Sequence, residues 1–345
     1  MKLRFMIVSI LIVVFMAACS SNTAGNESDN NDGKKENEEV IKIRFSHVST
    51  PTSLKGVATE KFAELVEEKT NGAVQVDVFP SSQLYGDNDE LDALIAGNVE
   101  MINPSVSKLV KLDERWQYTD MPFLFQDVDH VYTFFDSDLG KTLLESDRLI
   151  DNGIIGLTFW ANGFKNFSND KKEISSPEDF KGMKFRTQAG NVIESQFKAL
   201  GAGATTIPWG ETYSALQQGV ADGAEVTADL MSSANFHEIQ KYLTLSEHGR
   251  LDLAVLINKA FWDGLSEEIQ DQINEALVEA TEYERELALE FNDKSIQALK
   301  DGGMEVRELS DDEKEALKKA LEPVYDEFRD EITPELIDGI RDLAQ

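Results

Sequence analysis

The sequence predicts an α/β protein of two similarly built lobes, joined by crossing strands and a long helix, with a cleft between them. Three observations carry that expectation. The stretch from Val40 to Gln345 is too long for one small domain. A strand–helix–strand–helix run occurs twice and carries a shared local text. A helical pattern opening at Ser266 outruns the width of a single lobe.

Residues 1–19 read as a targeting segment rather than as part of the fold. Lys2 and Arg4 give a charged start, Phe5 to Met16 is apolar, and Ala17-Ala18-Cys19 closes the run with small residues and a cysteine. The apolar run is short for a hydrocarbon core of ~30 Å, which takes about 20 residues. Small residues before the sole cysteine fit a lipoprotein signal with Cys19 diacylated. A secretory signal with an incidental cysteine and an uncleaved anchor are the alternatives. Residues 20–39 are polar with almost nothing apolar and cannot offset their ordering entropy by burial, so they are expected to be a disordered tether.

Ile41 to His47 alternates with period two and predicts a strand. Leu54 to Lys69 reads as a helix stopped at Thr70-Asn71-Gly72, and Val74 to Phe79 alternates again up to Pro80. Asp89 to Ala96 reads as a helix broken by Gly97, feeding a short strand at Met101-Ile102. The plan then repeats: strand Met183 to Thr187, helix Gly190 to Leu200, strand Thr205 to Ile207, helix Glu211 to Gln218 stopped by Gly219. Ala93-Leu94-Ile95-Ala96-Gly97-Asn98-Val99-Glu100 and Ala215-Leu216-Gln217-Gln218-Gly219-Val220-Ala221-Asp222 share the pattern Ala-Leu-x-x-Gly-x-small/apolar-acid at matching places.

Ser176-Pro177-Glu178-Asp179 predicts a capped helix start. Ser266 opens the long helix, with Glu267 and Glu268 in its first turn and a periodic apolar face reaching Leu299. Its roughly 33 residues span about 50 Å at 1.5 Å each, enough to bridge both lobes. Ser310 to Leu321 and Pro334 to Leu343 add two terminal helices. The expected division is residues 40–162 with 252–291 as lobe I, and 163–251 with 292–345 as lobe II. Ligands of open α/β sheets sit outside the carboxyl ends of strands, which makes His47 and Arg186 candidates for the cleft wall.

Composition excludes several classes of function. With 33 basic against 64 acidic residues and a net charge of −31, no basic stripe is available for nucleic acid or for an anionic membrane. Gly-x4-Gly-Lys-Ser/Thr, Gly-x-Ser-x-Gly and His-Glu-x-x-His are absent from the sequence, and the four histidines lack ligand spacing. No enzyme, metal or cofactor is expected. In so acidic a chain an anionic ligand is held only where local cations prevail. Arg186, in the alternating run Lys184 to Thr187, offers a planar fork for a carboxylate; an exposed arginine on an edge strand is the plain alternative. Lys165 is a second cation, and Trp209, after Pro208 and before a helix, is either core or an aromatic wall over the ligand.

Taken together, the blocks Phe45-Ser46-His47, Phe79 to Gly86, Asn103 to Lys108, Met121 to Phe125, Phe159 to Lys165, Pro177 to Arg186, Leu200-Gly201-Ala202 and Tyr213 to Gly223 resemble the substrate-binding subunits of tripartite ATP-independent periplasmic (TRAP) transporters. The resemblance covers Ile43 to about Leu309. It implies a two-lobe periplasmic-binding-protein-like fold with a hinge, closing on an organic acid and delivering it to small and large membrane subunits driven by an ion gradient. The pattern at Trp160 to Lys165 is similar to that of binders of malate, succinate and fumarate, where sialic-acid and uronate binders usually carry Arg in place of Lys165.

The resemblance further implies that Arg186 clamps one carboxylate, Lys165 neutralises the second and Trp209 packs over the ligand. Asn162, His47, Ser105 and Trp160 would supply the opposite wall and the hinge. The family's usual Asp-Gly-x-Glu-Asn-Pro reads Asp222-Gly223-Ala224-Glu225-Val226-Thr227 here, so Val226 removes a polar contact. A monocarboxylate, keto acid or sugar acid is therefore the alternative ligand. The expected protein is an extracytoplasmic monomer held to the cell membrane through lipid on Cys19. A ligand-binding partner of a signalling receptor and an exported enzyme are the rival readings.

Overall fold

The computed structural model describes residues 40–344, so the signal segment, the tether and Cys19 lie outside the described residues. Nine strands form one sheet: β1 (Ile41–Ser46), β2 (Val74–Phe79), β3 (Met101–Ile102), β4 (Ile154–Asn169), β5 (Lys184–Thr187), β6 (Gly203–Thr206), β7 (Gly223–Thr227), β8 (Tyr242–Asn258) and β9 (Glu305–Glu308). Their order is β2-β1-β3-β8-β4-β7-β5-β6, with β9 beside β8.

β4 and β8 are long antiparallel neighbours running through the middle of the sheet. Each end of the sheet repeats one arrangement: a parallel trio, β2-β1-β3 or β6-β5-β7, whose last strand pairs antiparallel with a crossing strand. The shared text found in the sequence closes the helix before β3 and the helix before β7. Gly97 and Gly219 take φ of +71° and +70° there. Asn98 N–H donates to the Ala93 carbonyl as Val220 N–H donates to the Ala215 carbonyl, the same Schellman closure twice.

Local signals explain the flanking elements. Ser53 accepts from Gly56 N–H to start the helix Leu54–Lys69, which buries Ala58, Phe62, Leu65 and Val66. Ser176 and Asp179 form a reciprocal capping box, but the turn they open is a short 3₁₀ helix, Pro177–Phe180. The long helix runs Glu267–Asp301 and is capped by Ser266. It packs along the helix Leu54–Lys69 and β4, and reaches β9 near its far end. The helix expected to end at Leu321 continues to Ile332 through Pro323. Val324, Phe328 and Ile332 form an apolar stripe past the proline, and burying that stripe outweighs the hydrogen bond that proline cannot donate.

Gly223 marks the tightest approach within the sheet. A Cβ there would sit on the Ser168 carbonyl oxygen and 2.8 Å from the Phe185 ring. Gly223→Ala is expected to cost on the order of 1–3 kcal/mol, seen as a lower urea midpoint at unchanged slope. An unaltered midpoint would mean that β4 and β7 can move apart freely.

Candidate ligand-binding site

Arg186 is the third residue of β5, next to β7, and only 3% of its surface is exposed. Its one side-chain hydrogen bond among the described residues runs from Nε to the Ile207 carbonyl, at 2.9 Å. The guanidinium lies 5.5 Å from the centre of the Trp209 ring, which itself stacks on Phe236. Burial pushes Arg186 down to about 10, against the pull of Asp87 and Glu225. The outer two nitrogens thus form an open fork on a buried and uncompensated cation.

That fork borders a small cavity of about 40 Å³ lined by Val48, Ser49, Lys55, Asp87, Ser105, Lys108, Asn162, Arg186, Gln188, Trp209, Val226, Leu230, Leu251 and Leu253. Elements from both ends of the sheet meet there. Trp209 N–H donates to Asp87 at 2.5 Å, and Gln188 donates to Ser107 at 2.9 Å. Lys108 pairs with Asp87, whose carboxyl burial would raise; Lys108, the Trp209 N–H and Arg186 together outweigh that and hold it below its ordinary value. Lys55 is buried, donates to the Asn103 carbonyl at 2.8 Å, and is brought down to about 8 by desolvation, against Glu90 and Asp87. Three cations and one carboxylate, Asp87, therefore face one cavity in a strongly acidic chain, leaving its lining net positive.

Of the sequence-predicted residues, Arg186, Trp209, Asn162 and Ser105 line this cavity, and the Asn162 and Ser105 side-chain oxygens have no partner among the described residues. Three others lie elsewhere. Lys165 is enclosed between Asp120, 2.7 Å away, and Glu225, 2.9 Å away, so its charge is already matched inside the protein. Trp160 is core: it stacks on Phe45 and donates from Nε1 to Thr281 on the long helix. His47 is fully buried behind the wall formed by Val48 and Ser49, and desolvation, with Lys55 nearby, lowers it to about 3.

Sequence reasoning missed Lys55 and Lys108. A signal existed for Lys55, which is the second residue of a helix with no acid in its first turn, the wrong end for a cation in the helix dipole. Val226, the departure from the expected family pattern, does line the cavity and makes one wall apolar.

A larger cavity of about 330 Å³ lies under the second half of the long helix, and its charge is wrong for an anion. Asp127, Asp229 and Glu247 line it, while its one cation, Arg250, is taken by Asp252 at 2.8 Å and stacks on Phe164. The chemistry therefore selects the smaller cavity over the larger.

Residues 45–331 match the family described as bacterial extracellular solute-binding protein, family 7. The chain belongs to this family. It is 41% identical over 305 residues to a C4-dicarboxylate-binding periplasmic protein of Rhodobacter capsulatus, covering 88% of this chain and 91% of that one. A TRAP periplasmic solute-binding protein of Sulfurospirillum deleyianum with bound succinate superposes with a TM-score of 0.84 at 39% identity, over 88% of this chain and 99% of its own. A sugar acid binding protein of Advenella mimigardefordensis in complex with galactonate gives 0.85 at 32% identity, over 89% and 99%. The family 7 protein is thus an extracytoplasmic, two-lobe solute-binding component of TRAP transport and not an enzyme.

Proposed function

We propose that this solute-binding protein captures a four-carbon dicarboxylate such as succinate, malate or fumarate and delivers it to TRAP membrane subunits. The observation that carries the reading is the open Arg186 fork facing Lys55 and Lys108 across a small buried cavity. Arg186 would take one carboxylate in two parallel hydrogen bonds while Trp209 keeps the fork flat. Lys108 and Lys55, in the role expected of Lys165, would neutralise the second carboxylate, with the Ser105 hydroxyl and the Gln188 amide as neutral donors.

Closure would turn on the middle of the crossing strands. The β4–β8 register shifts between Ala161 and Gly163, opposite Asp252 and Leu251, and Gly163 takes a φ of +118°. A bulge bends a strand locally, which supports placing the lobe boundary at residues 162/163 and 251/252. Anchoring through lipid on Cys19 rests on the sequence pattern at residues 1–19 and would keep the protein near its membrane partners.

Succinate, malate and fumarate are each expected to raise the melting temperature of the purified chain, by the equivalent of about 4 kcal/mol at a thousandfold excess over Kd. Galactonate and simple monocarboxylates should do little. A rise with monocarboxylates alone would mean that Val226 retunes the pocket for a single carboxylate, and the dicarboxylate assignment would fall.

A further inference from the structure

Behind the cationic wall of the cavity sits a sealed carboxyl group. Glu90 heads the short helix Glu90–Ile95, is wholly inaccessible, and neither of its oxygens accepts a hydrogen bond from any described residue. Lys108 Nζ stands 3.8 Å from Oε1, beyond hydrogen-bond reach. The charged groups facing it are Lys55 on the helix Leu54–Lys69, Lys108 on the 3₁₀ helix Val106–Lys111, and Asp87 just ahead of its own helix; β3 and β8, which also pack against that helix, present none to it. Arg186 on β5 connects to the group through Asp87, and His47, beside Lys55, is neutral.

An ionised carboxylate with no hydrogen bonds is expensive to bury, and a neutral acid is not. With Glu90 ionised, three cations against two carboxylates leave a surplus of one positive charge. With Glu90 protonated the surplus is two, which matches the two negative charges of a dicarboxylate.

We infer that Glu90 is a positioning residue that takes up a proton from solvent when the site closes on a dicarboxylate dianion, so that capture is linked to pH. This rests on the dicarboxylate reading above. Desolvation, opposed by Lys108 and Lys55, brings Glu90 to about 7, so it titrates within an accessible range. A dianion arriving beside it disfavours its ionised form and raises that value. The complex then holds more protons than the free protein, and affinity falls as pH rises through the free-protein value. The limit is about tenfold in Kd per pH unit for each proton taken up.

The test is calorimetry of succinate binding to the purified full chain in two buffers of different ionisation heat at pH 7.5, with Kd followed from pH 6.5 to 9. The parent is expected to take up roughly half to one proton per succinate, with Kd rising about three- to tenfold between pH 7.5 and 8.5. Glu90→Gln, the same shape without a titrating proton, should bind succinate with a flatter profile and less uptake. Equal heats in both buffers for the parent, which need no variant, would overturn the inference. So would unchanged uptake in Glu90→Gln, which would put the proton on Lys55. Absence of succinate binding at every pH would overturn the ligand reading, and this inference with it.

Discussion

Replacing Arg186 with alanine is expected to weaken succinate binding by roughly two to four orders of magnitude without unfolding the protein. Two charge-assisted hydrogen bonds at about 1.5–3 kcal/mol each account for the loss, at 1.4 kcal/mol per tenfold. The same substitution should leave the ligand-free melting temperature within a few degrees of the parent. Arg186 has no carboxylate within ion-pair distance among the described residues, and burial already lowers it to about 10. Removing an uncompensated buried charge gives back much of what is lost in packing on Trp209 and in the hydrogen bond to Ile207. Arg186→Lys should fall between the two, keeping the charge but not the fork. Isothermal titration and a thermal melt on each variant separate the effects. Parental affinity in Arg186→Ala would remove this arginine from the site. A large loss of ligand-free stability would make it a structural residue instead.

That contrast shows which features the sequence makes visible. Caps and glycine stops act within a turn, so the helix Leu54–Lys69, strands β1 and β2, and the start of the long helix at Ser266 all lie where local pattern places them. Arg186 and Trp209 are legible as site residues only through the family resemblance; taken alone, an arginine in a short strand is ordinary here, as Arg44 in β1 and Arg307 in β9 show. The crossing strands are less legible: β8 carries Glu247, His248, Arg250 and Asp252 along its length. Those polar residues break the alternation; Arg250 and Asp252 pair with each other, while Glu247 and His248 are satisfied by the distant Lys314 and Glu225. Lys55 and Lys108 were hidden for the same reason. A lysine does not announce whether its counter-ion is a protein carboxylate or a ligand.

Lys165 is the sharpest case, and substitution with methionine should act on stability before it acts on binding. Lys165 Nζ lies 2.7 Å from Asp120 and 2.9 Å from Glu225, with all three side chains essentially inaccessible. His248 Nε2 stands 3.2 Å from the same Glu225 oxygen, and its ring stacks on Phe167 with centres 4.0 Å apart. Lys165→Met strands two buried carboxylates, which costs about 3–5 kcal/mol and, for a chain of this size, lowers the melting temperature by on the order of 10 °C.

The pH dependence of the Glu225 contribution reverses sign between parent and variant. Burial would raise Glu225, but Lys165 and His248 together hold it near 2, below its ordinary 4.5. The parent therefore has this stabilisation in full above pH 4.5 and loses it as pH falls toward 2. Asp120 is shifted the other way, because desolvation outweighs its share of Lys165 and its second oxygen has no partner. Without Lys165 both carboxyls are raised, so acidification from pH 8 to pH 5 should narrow the gap between variant and parent. Succinate binding by Lys165→Met, measured well below its melting point, should stay within about tenfold of the parent, since Lys165 lies outside the cavity lining. A variant that melts like the parent but no longer binds would reverse the assignment. Lys165 would then be the second carboxylate's partner, and Asp120 and Glu225 would have to release it when the ligand arrives.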